Sequence, residues 1–306
     1  MDECARALQA IREDNTSGAS ELVHKAVQCV VLFSETSGNP SPSGFQRDFL
    51  AFLQKLIASQ PAMAPFLNLA NVVLMNIEHV GNVDSMKEAI GEAAHAFLRG
   101  LREIPRRIAI HASRILADKG RILTHSYSST VFEALRLASS RRRSVKVICT
   151  ESRPALEGVK LAKKLAAEGM EVQLAIDSAA PFLLGEVDLL LTGGDALSPH
   201  GLVNKVGTYG LAVAARTHNI PFYALCGTDK ILTGELGQRL RIEPKDPAEV
   251  LAMPHPGVEV INRYFDITSV AFLSGVITEE GIWGEDELHR FIGSLRVCKA
   301  LGKGWI

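Results

Sequence analysis

The chain lacks most of what would assign it to a specialised class. Charge of one sign is missing: 33 Lys and Arg stand against 34 Asp and Glu, for a formal charge of −1 over 306 residues. There is thus no basic footprint, and no direct nucleic-acid partner is expected. No acidic or basic tail is present either. No apolar run is long enough to span a bilayer, so no membrane partner is expected. The five cysteines, Cys4, Cys29, Cys149, Cys226 and Cys298, are odd in number and scattered. They form no CxxC pair and no Cys/His spacing, which removes a disulfide framework and a zinc site from the expectations. Scattered thiols fit a reducing cytoplasm, and the opening MDECARALQAIRED is acidic and amphipathic, without a signal-peptide pattern. No GxGxxG follows a strand, so dinucleotide chemistry is not favoured, and neither cofactor nor metal is expected. No internal repeat is visible.

The first third also lacks a convincing strand. Apolar residues recur at helical spacing over Ala5–Ile11, Glu21–Phe33, Phe45–Ser59, Ala62–Glu78 and Met86–Lys119, with Pro105 a kink or boundary in the last. From Gly120 the texture changes. Short apolar runs at Arg121–Ser126, Val145–Cys149, Val172–Ile176, Val187–Leu191 and Phe222–Leu225 alternate with helical patterns, including Ser129–Arg141, Glu157–Glu168, Ala180–Leu184 and Asn204–His218. Such alternation predicts βαβ units and a parallel sheet. A further strand near Ser274–Thr278 and a closing helix at Glu285–Leu295 follow a long irregular, proline-rich stretch. The fold class read here is α/β: a helical N-terminal domain over 1–119, then a doubly wound, mainly parallel, Rossmann-like ligand-binding domain over 120–306.

In open α/β sheets ligands bind outside the carboxyl ends of the strands. The predicted strands deliver Thr124–Ser129, Thr150–Pro154, Asp177–Ser178 and Gly193–Asp195 to that rim. The central stretch is TGGDALSPHGLVNKVGTY, Thr192–Tyr209. Gly193 and Gly194 allow a sharp turn or a close backbone approach, and Asp195 presents a carboxylate. Asn204 and Lys205 are expected to open a helix, whose free N–H groups and dipole would join the ammonium in an anion site. Arg153 can clamp a phosphate through two nitrogens. Ser126, Ser128 and Ser129 either donate to that anion or cap the next helix. His125 is read as structural. Together these residues point to a small phosphorylated ligand.

The rim segments ILTHSYS (Ile122–Ser128), TESRPALEG (Thr150–Gly158), IDSAA (Ile176–Ala180), GGDAL (Gly193–Leu197), NKVGTY (Asn204–Tyr209), PFY (Pro221–Tyr223) and FDIT…VITEEG (Phe265–Gly281) occur in an order that resembles a known family. It unites methylthioribose-1-phosphate isomerase, archaeal ribose-1,5-bisphosphate isomerase and the α, β and δ regulatory subunits of eukaryotic translation initiation factor 2B. The resemblance covers most of Gly120–Leu295. It implies a homodimer or larger assembly, a sugar phosphate or nucleotide as ligand and, for the regulatory branch, an initiation-factor partner.

In the isomerases of that family a cysteine and an aspartate convert a C1-phosphorylated aldose to the ketose. The resemblance puts Ser126 at the cysteine position and Asp195 at the aspartate position, as the candidate catalytic pair. It carries phosphate contacts to Arg153, Asn204, Lys205, Gly18 and Ser128, while Ser17 replaces an arginine that contacts phosphate in the isomerases. A thiol titrates near ~8.5 and can be tuned to a thiolate, whereas a serine hydroxyl needs a strong base beside it. His125 is adjacent, but strand neighbours point to opposite faces. The resemblance therefore implies a protein like the α subunit of factor 2B, with a binding or regulatory role. An aldose–ketose isomerase acting on ribose 1,5-bisphosphate or methylthioribose 1-phosphate is the alternative.

Overall fold

The computed structural model describes residues 3–14, 18–141, 145–253 and 255–302. The chain divides into two compact units: Met1–Glu103 with Leu232–Leu240 and the chain end from Ser294, and Ile104–Ile231 with Arg241–Gly293.

The first unit is helical: α1 (Glu3–Glu13), α2 (Ala19–Thr36), α3 (Pro42–Ser59), α4 (Ala64–Ile77) and the start of α5 (Val83–Leu116). Helix α3 shows why these residues form helices. Ser41 accepts the Gly44 N–H at 3.1 Å, an N-cap, and Pro42 takes the first turn, where its missing N–H costs nothing. Phe45, Phe49, Phe52 and Leu56 then recur at helical spacing and are buried. Phe33 of α2 stacks on Phe52 with ring centroids 4.5 Å apart. Helix α5 runs on through Pro105, and the division between the units falls beside that proline, after Glu103.

The second unit carries β1 (Arg121–His125), α6 (Ser129–Arg141), β2 (Lys146–Thr150), α7 (Glu157–Ala167), β3 (Glu171–Ala175), α8 (Ala180–Leu183), β4 (Leu189–Gly193), β5 (Ala196–Ser198), β6 (Gly201–Lys205), α9 (Thr208–Thr217) and β7 (Phe222–Leu225). After a short α10 (Gly234–Gly237), which belongs to the first unit, the second unit resumes with β8 (Phe265–Thr268), β9 (Gly275–Ile277), β10 (Ile282–Trp283) and α11 (Glu285–Ser294). The large sheet has the order β10-β9-β7-β4-β1-β2-β3. All its pairs are parallel except β9 with β10. The order reverses between β1 and β4, the switch point of a doubly wound sheet. Ile122, Val147, Leu189, Leu191 and Leu225 of the strands meet Val131, Leu135, Leu161 and Leu165 of the helices in one core.

Two expectations change. The irregular stretch after Leu225 contains β8, which pairs with β6 in a separate antiparallel sheet of order β5-β6-β8. Asn204 and Lys205 lie on β6, not at a helix start, because α9 begins only at Thr208, after Gly207 at φ 109°. A β-hairpin therefore projects from the carboxyl end of β4, and Asp195 stands at its root, donating its N–H to the Val203 carbonyl at 2.9 Å.

Candidate functional site

The carboxyl ends of β1, β2 and β3 are joined by one directed chain of hydrogen bonds. Ser126, just past β1, has φ 68°, and its N–H donates to Ser152 Oγ at 2.8 Å. Ser152, just past β2, has φ 61° and is fully buried. Its hydroxyl lies 3.1 Å from Thr150 Oγ1, which in turn lies 2.6 Å from His125 Nδ1. The other ring nitrogen, Nε2, is 2.9 Å from the Val206 carbonyl, which can only accept. The proton of the neutral imidazole is thus on Nε2, and Thr150 donates to Nδ1. Burial holds the His125 pKa below its ordinary value. At the end of β3, Asp177 accepts the N–H groups of Ser152 and Arg153, both at 2.7 Å. Left-handed backbone at two successive strand ends costs energy, and here neighbouring strands fix it.

The ends of β4, β7 and β9 hold charges instead. The Gly193–Gly194 turn is tight: a Cβ on Gly193 would lie 2.8 Å from Ser128 Cβ, and one on Gly194 2.7 Å from a Leu202 methyl. Asp195 is partly accessible. Burial raises its carboxyl above the ordinary carboxylate range, against the pull of Lys230 and Lys205. Lys230 donates to the Gly194 carbonyl at 2.8 Å. Burial disfavours the Lys230 ammonium, but Asp229 and Asp195 outweigh it and hold its pKa above normal. Burial pushes Asp229 up to about 6. Glu279 accepts the Thr228 N–H through both carboxylate oxygens, at 3.2 and 3.0 Å, and the Thr228 hydroxyl as well.

The expected anion cradle at Asn204–Lys205 has a different construction. The N–H groups of Gly207 and Tyr209 at the start of α9 donate to Asp266 Oδ2 at 2.8 and 3.0 Å, so the chain's own carboxylate fills that helix N-terminus. Lys205, 3% exposed, pairs with Glu157 Oε1 at 2.5 Å and lies over the Tyr264 ring at 4.3 Å. Asn204 donates to Thr208 Oγ1 at 3.0 Å.

Comparison with known proteins agrees with this layout. Residues 15–285 match the model of the initiation factor 2 subunit family, IF-2B. The chain belongs to this family. Among its relatives, a methylthioribose-1-phosphate isomerase of Desulforudis audaxviator is 31% identical over 95% of this chain and 89% of its own length. A ribose 1,5-bisphosphate isomerase of Archaeoglobus fulgidus is 29% identical over 92% of this chain and 90% of its own. The crystal structure of the Pyrococcus horikoshii OT3 translation initiation factor eIF-2B superposes with a TM-score of 0.79 at 29% identity, covering 94% of this chain and 99% of that one. Relatives on both the initiation-factor and the isomerase side thus share this fold.

Set against the family, the residues singled out in the sequence fall into three groups. Ser126 and Asp195 come from the adjacent strands β1 and β4 at the switch point, where His125 pairs in register with Thr192. Ser128 accepts the Val131 N–H at 3.3 Å and caps α6, and exposed Arg153 reaches the Glu249 carbonyl at 3.4 Å. Gly18 belongs to the helical unit, where it precedes α2, and Ser17 lies outside the described residues. Sequence reasoning passed over Glu157, Asp229, Lys230 and Glu279. Glu157 had a signal, a carboxylate in the rim segment TESRPALEG; its pairing with Lys205 depends on the β6 strand and had none. All five cysteines are buried. No helix among the described residues is long and apolar enough to cross a membrane, and no group of metal-ligating side chains is found among them.

Proposed function

We propose that this member of the family is a binding or regulatory protein that holds a small sugar phosphate or nucleotide at the β1/β4 rim, in the manner of the initiation-factor branch. The observation that carries the reading is the state of Ser126. Its position calls for a nucleophile or acid, yet the one imidazole beside it spends Nδ1 on Thr150 and Nε2 on Val206. A hydroxyl without a base stays protonated near neutrality. Asp195 supplies a carboxyl for hydrogen bonding to sugar hydroxyls, and Arg153 is the exposed cation left for phosphate. Self-association into a dimer or larger assembly, an initiation-factor partner and a cytoplasmic location belong to the same proposal.

One observation favours the isomerase reading. The raised pKa of Asp195 is what a general acid/base needs at working pH. Calorimetry and thermal shift with ribose 1,5-bisphosphate, methylthioribose 1-phosphate, AMP and GMP, on wild type and Asp195→Asn, separate the two. A ligand specific for the native state raises stability by RT ln(1 + [L]/Kd), so binding is measurable. Binding with the ligand recovered intact supports the proposal. Ketose production abolished by Asp195→Asn overturns it in favour of the isomerase.

A further inference from the structure

The segment that follows α11 is held by the helical unit. From Ser294 on, the chain belongs to the first unit, together with α4 and Leu232–Leu240. Asn71 of α4 grips its backbone. The side-chain amide donates from Nδ2 to the Arg296 carbonyl at 2.8 Å, and Oδ1 accepts the Cys298 N–H at 2.8 Å. Only one orientation of the amide satisfies both bonds. A carbonyl and the N–H two residues on are the groups a parallel strand would pair with, so Asn71 reads backbone and not side chains. Leu67 and Leu74, a turn away on either side, are buried, and Asn71 itself is 9% exposed. An amide on an apolar helix face is costly unless paired, and both of these bonds go to this one segment.

Two buried side chains anchor the segment, Cys298 and, three residues on, Leu301. Arg239, just past α10, donates to the Gly302 carbonyl at 3.0 Å. Arg296, Lys299 and Ala300 are exposed. Residues 295–298 form no regular element, and a single 3₁₀ turn, Lys299–Leu301, follows. The match to the family model ends at residue 285, so this segment lies outside it.

We propose that this place on the helical unit is a docking site for an extended peptide, and that Ser294–Gly302 is its displaceable occupant. The contacts define the peptide class: an extended backbone for the Asn71 amide, a small apolar side chain at the Cys298 position, and a leucine three residues later. Backbone bonds supply affinity in such recognition, and the anchored side chains supply selectivity. Few contacts hold the segment, and weakly held segments open at a lower free energy than the whole fold. A protein partner that presents the same pattern competes for the same amide. The proposal concerns the helical unit and stands apart from the ligand read at the rim.

Cys298 is the reporter. Iodoacetamide labelling of the full chain, followed cysteine by cysteine with mass spectrometry, reads opening at Cys298 against the four other buried thiols. Asn71→Leu removes the amide and keeps an apolar helix face; Leu301→Ser removes an anchor. Each variant is expected to label Cys298 about 10-fold or more faster than wild type, since two hydrogen bonds or a buried leucine are lost. Cys4, Cys29, Cys149 and Cys226 are expected to stay protected. A synthetic peptide of the Ser294–Gly302 sequence, with Cys298→Ser, is then titrated by calorimetry into the Leu301→Ser protein. Saturable binding is expected, and binding about 10-fold or more weaker once Asn71→Leu is added. Unchanged Cys298 labelling in both variants overturns the proposal, because the segment is then a fixed part of the fold. Labelling of the other four thiols along with Cys298 overturns it for the same reason. So does a Leu301→Ser protein with Cys298 open that binds no peptide, or binds it equally well with Asn71→Leu.

Discussion

The two halves of the sheet's carboxyl rim are built on opposite principles. Past β1 and β2, neutral groups form a directed chain of hydrogen bonds from Ser126 N–H through Ser152, Thr150 and His125 to the Val206 carbonyl, with Asp177 at the end of β3 accepting the Ser152 and Arg153 N–H groups beside it. Past β4, β7 and β9, charges partly withdrawn from water face one another: Asp195, Asp229 and Lys230, with buried Glu279, and the pKa values of Asp195, Asp229 and Lys230 are all raised. A satisfied neutral chain fixes backbone and has no titration to contribute near neutrality. A cluster of partly buried charges responds to protons and to ligand charge. The difference places rigidity on one side of Asp195 and titration on the other, with Ser126 and Asp195 at the seam.

The largest effect expected is on chemistry at that seam. If the rim retains the geometry of the isomerase relatives and lacks only an ionisable group, Ser126→Cys supplies a thiol beside Asp195. Turnover of ribose 1,5-bisphosphate or methylthioribose 1-phosphate is then expected to rise by about 10²-fold or more over wild type, the usual scale of a positioned acid/base. A coupled ketose assay measures it. No gain, with ligand binding intact, means that the neutral half has lost more than the thiol.

The next effect lies in the charged half and follows pH. Asp229 has a folded pKa of about 6 against 3.8 for the free side chain. The folded state therefore binds its proton more tightly than the unfolded state does. Stability falls as pH rises from about 4 to about 6, and the penalty stays in place above that. The shift corresponds to about 3 kcal/mol. Urea unfolding of wild type between pH 4 and pH 7 is expected to show this slope, and Asp229→Asn to lose most of it. An unchanged slope in the variant assigns the titration to Asp195 or Asp266, whose carboxyls burial also raises.

Much of this rim was legible in the sequence. The periodicity of β1, α6 and β7 places them to within a residue of their ends, and β4 is placed two residues early, because Val187 extends its apolar pattern across Asp188. The Gly193–Gly194–Asp195 turn was readable because a glycine pair after an apolar run has few other uses. The small sheet was not. Its strands are three to five residues long, and β6 finds its partner β8 more than 50 residues later, inside a stretch that reads as loop. Asn204–Lys205 reads as a helix start for the same reason: local pattern sees the coming α9 and cannot see the cross-strand partners that hold these residues extended. Apart from Asp195, the charged half is illegible in the sequence because partial burial creates it. Asp229 and Lys230 sit in an unremarkable turn, and only the fold withdraws them from water.

The smallest effect tests the neutral half. Thr150 is fully buried, and its hydroxyl is the one link between Ser152 and His125. Thr150→Val keeps the shape and removes that link, leaving His125 Nδ1 without the Thr150 donor and the Ser152 hydroxyl with only the Thr150 carbonyl, at 3.4 Å. Unmet buried groups of this kind cost about 1–3 kcal/mol. Because His125 is neutral in both proteins, the loss is expected to be the same from pH 7 to pH 9, unlike the Asp229 effect. Unfolding curves at three pH values decide it. A constant offset supports a chain that only fixes structure. An offset that grows or shrinks with pH in that range means that His125 or Ser126 titrates there, and the division of the rim into a rigid half and a titrating half would no longer hold.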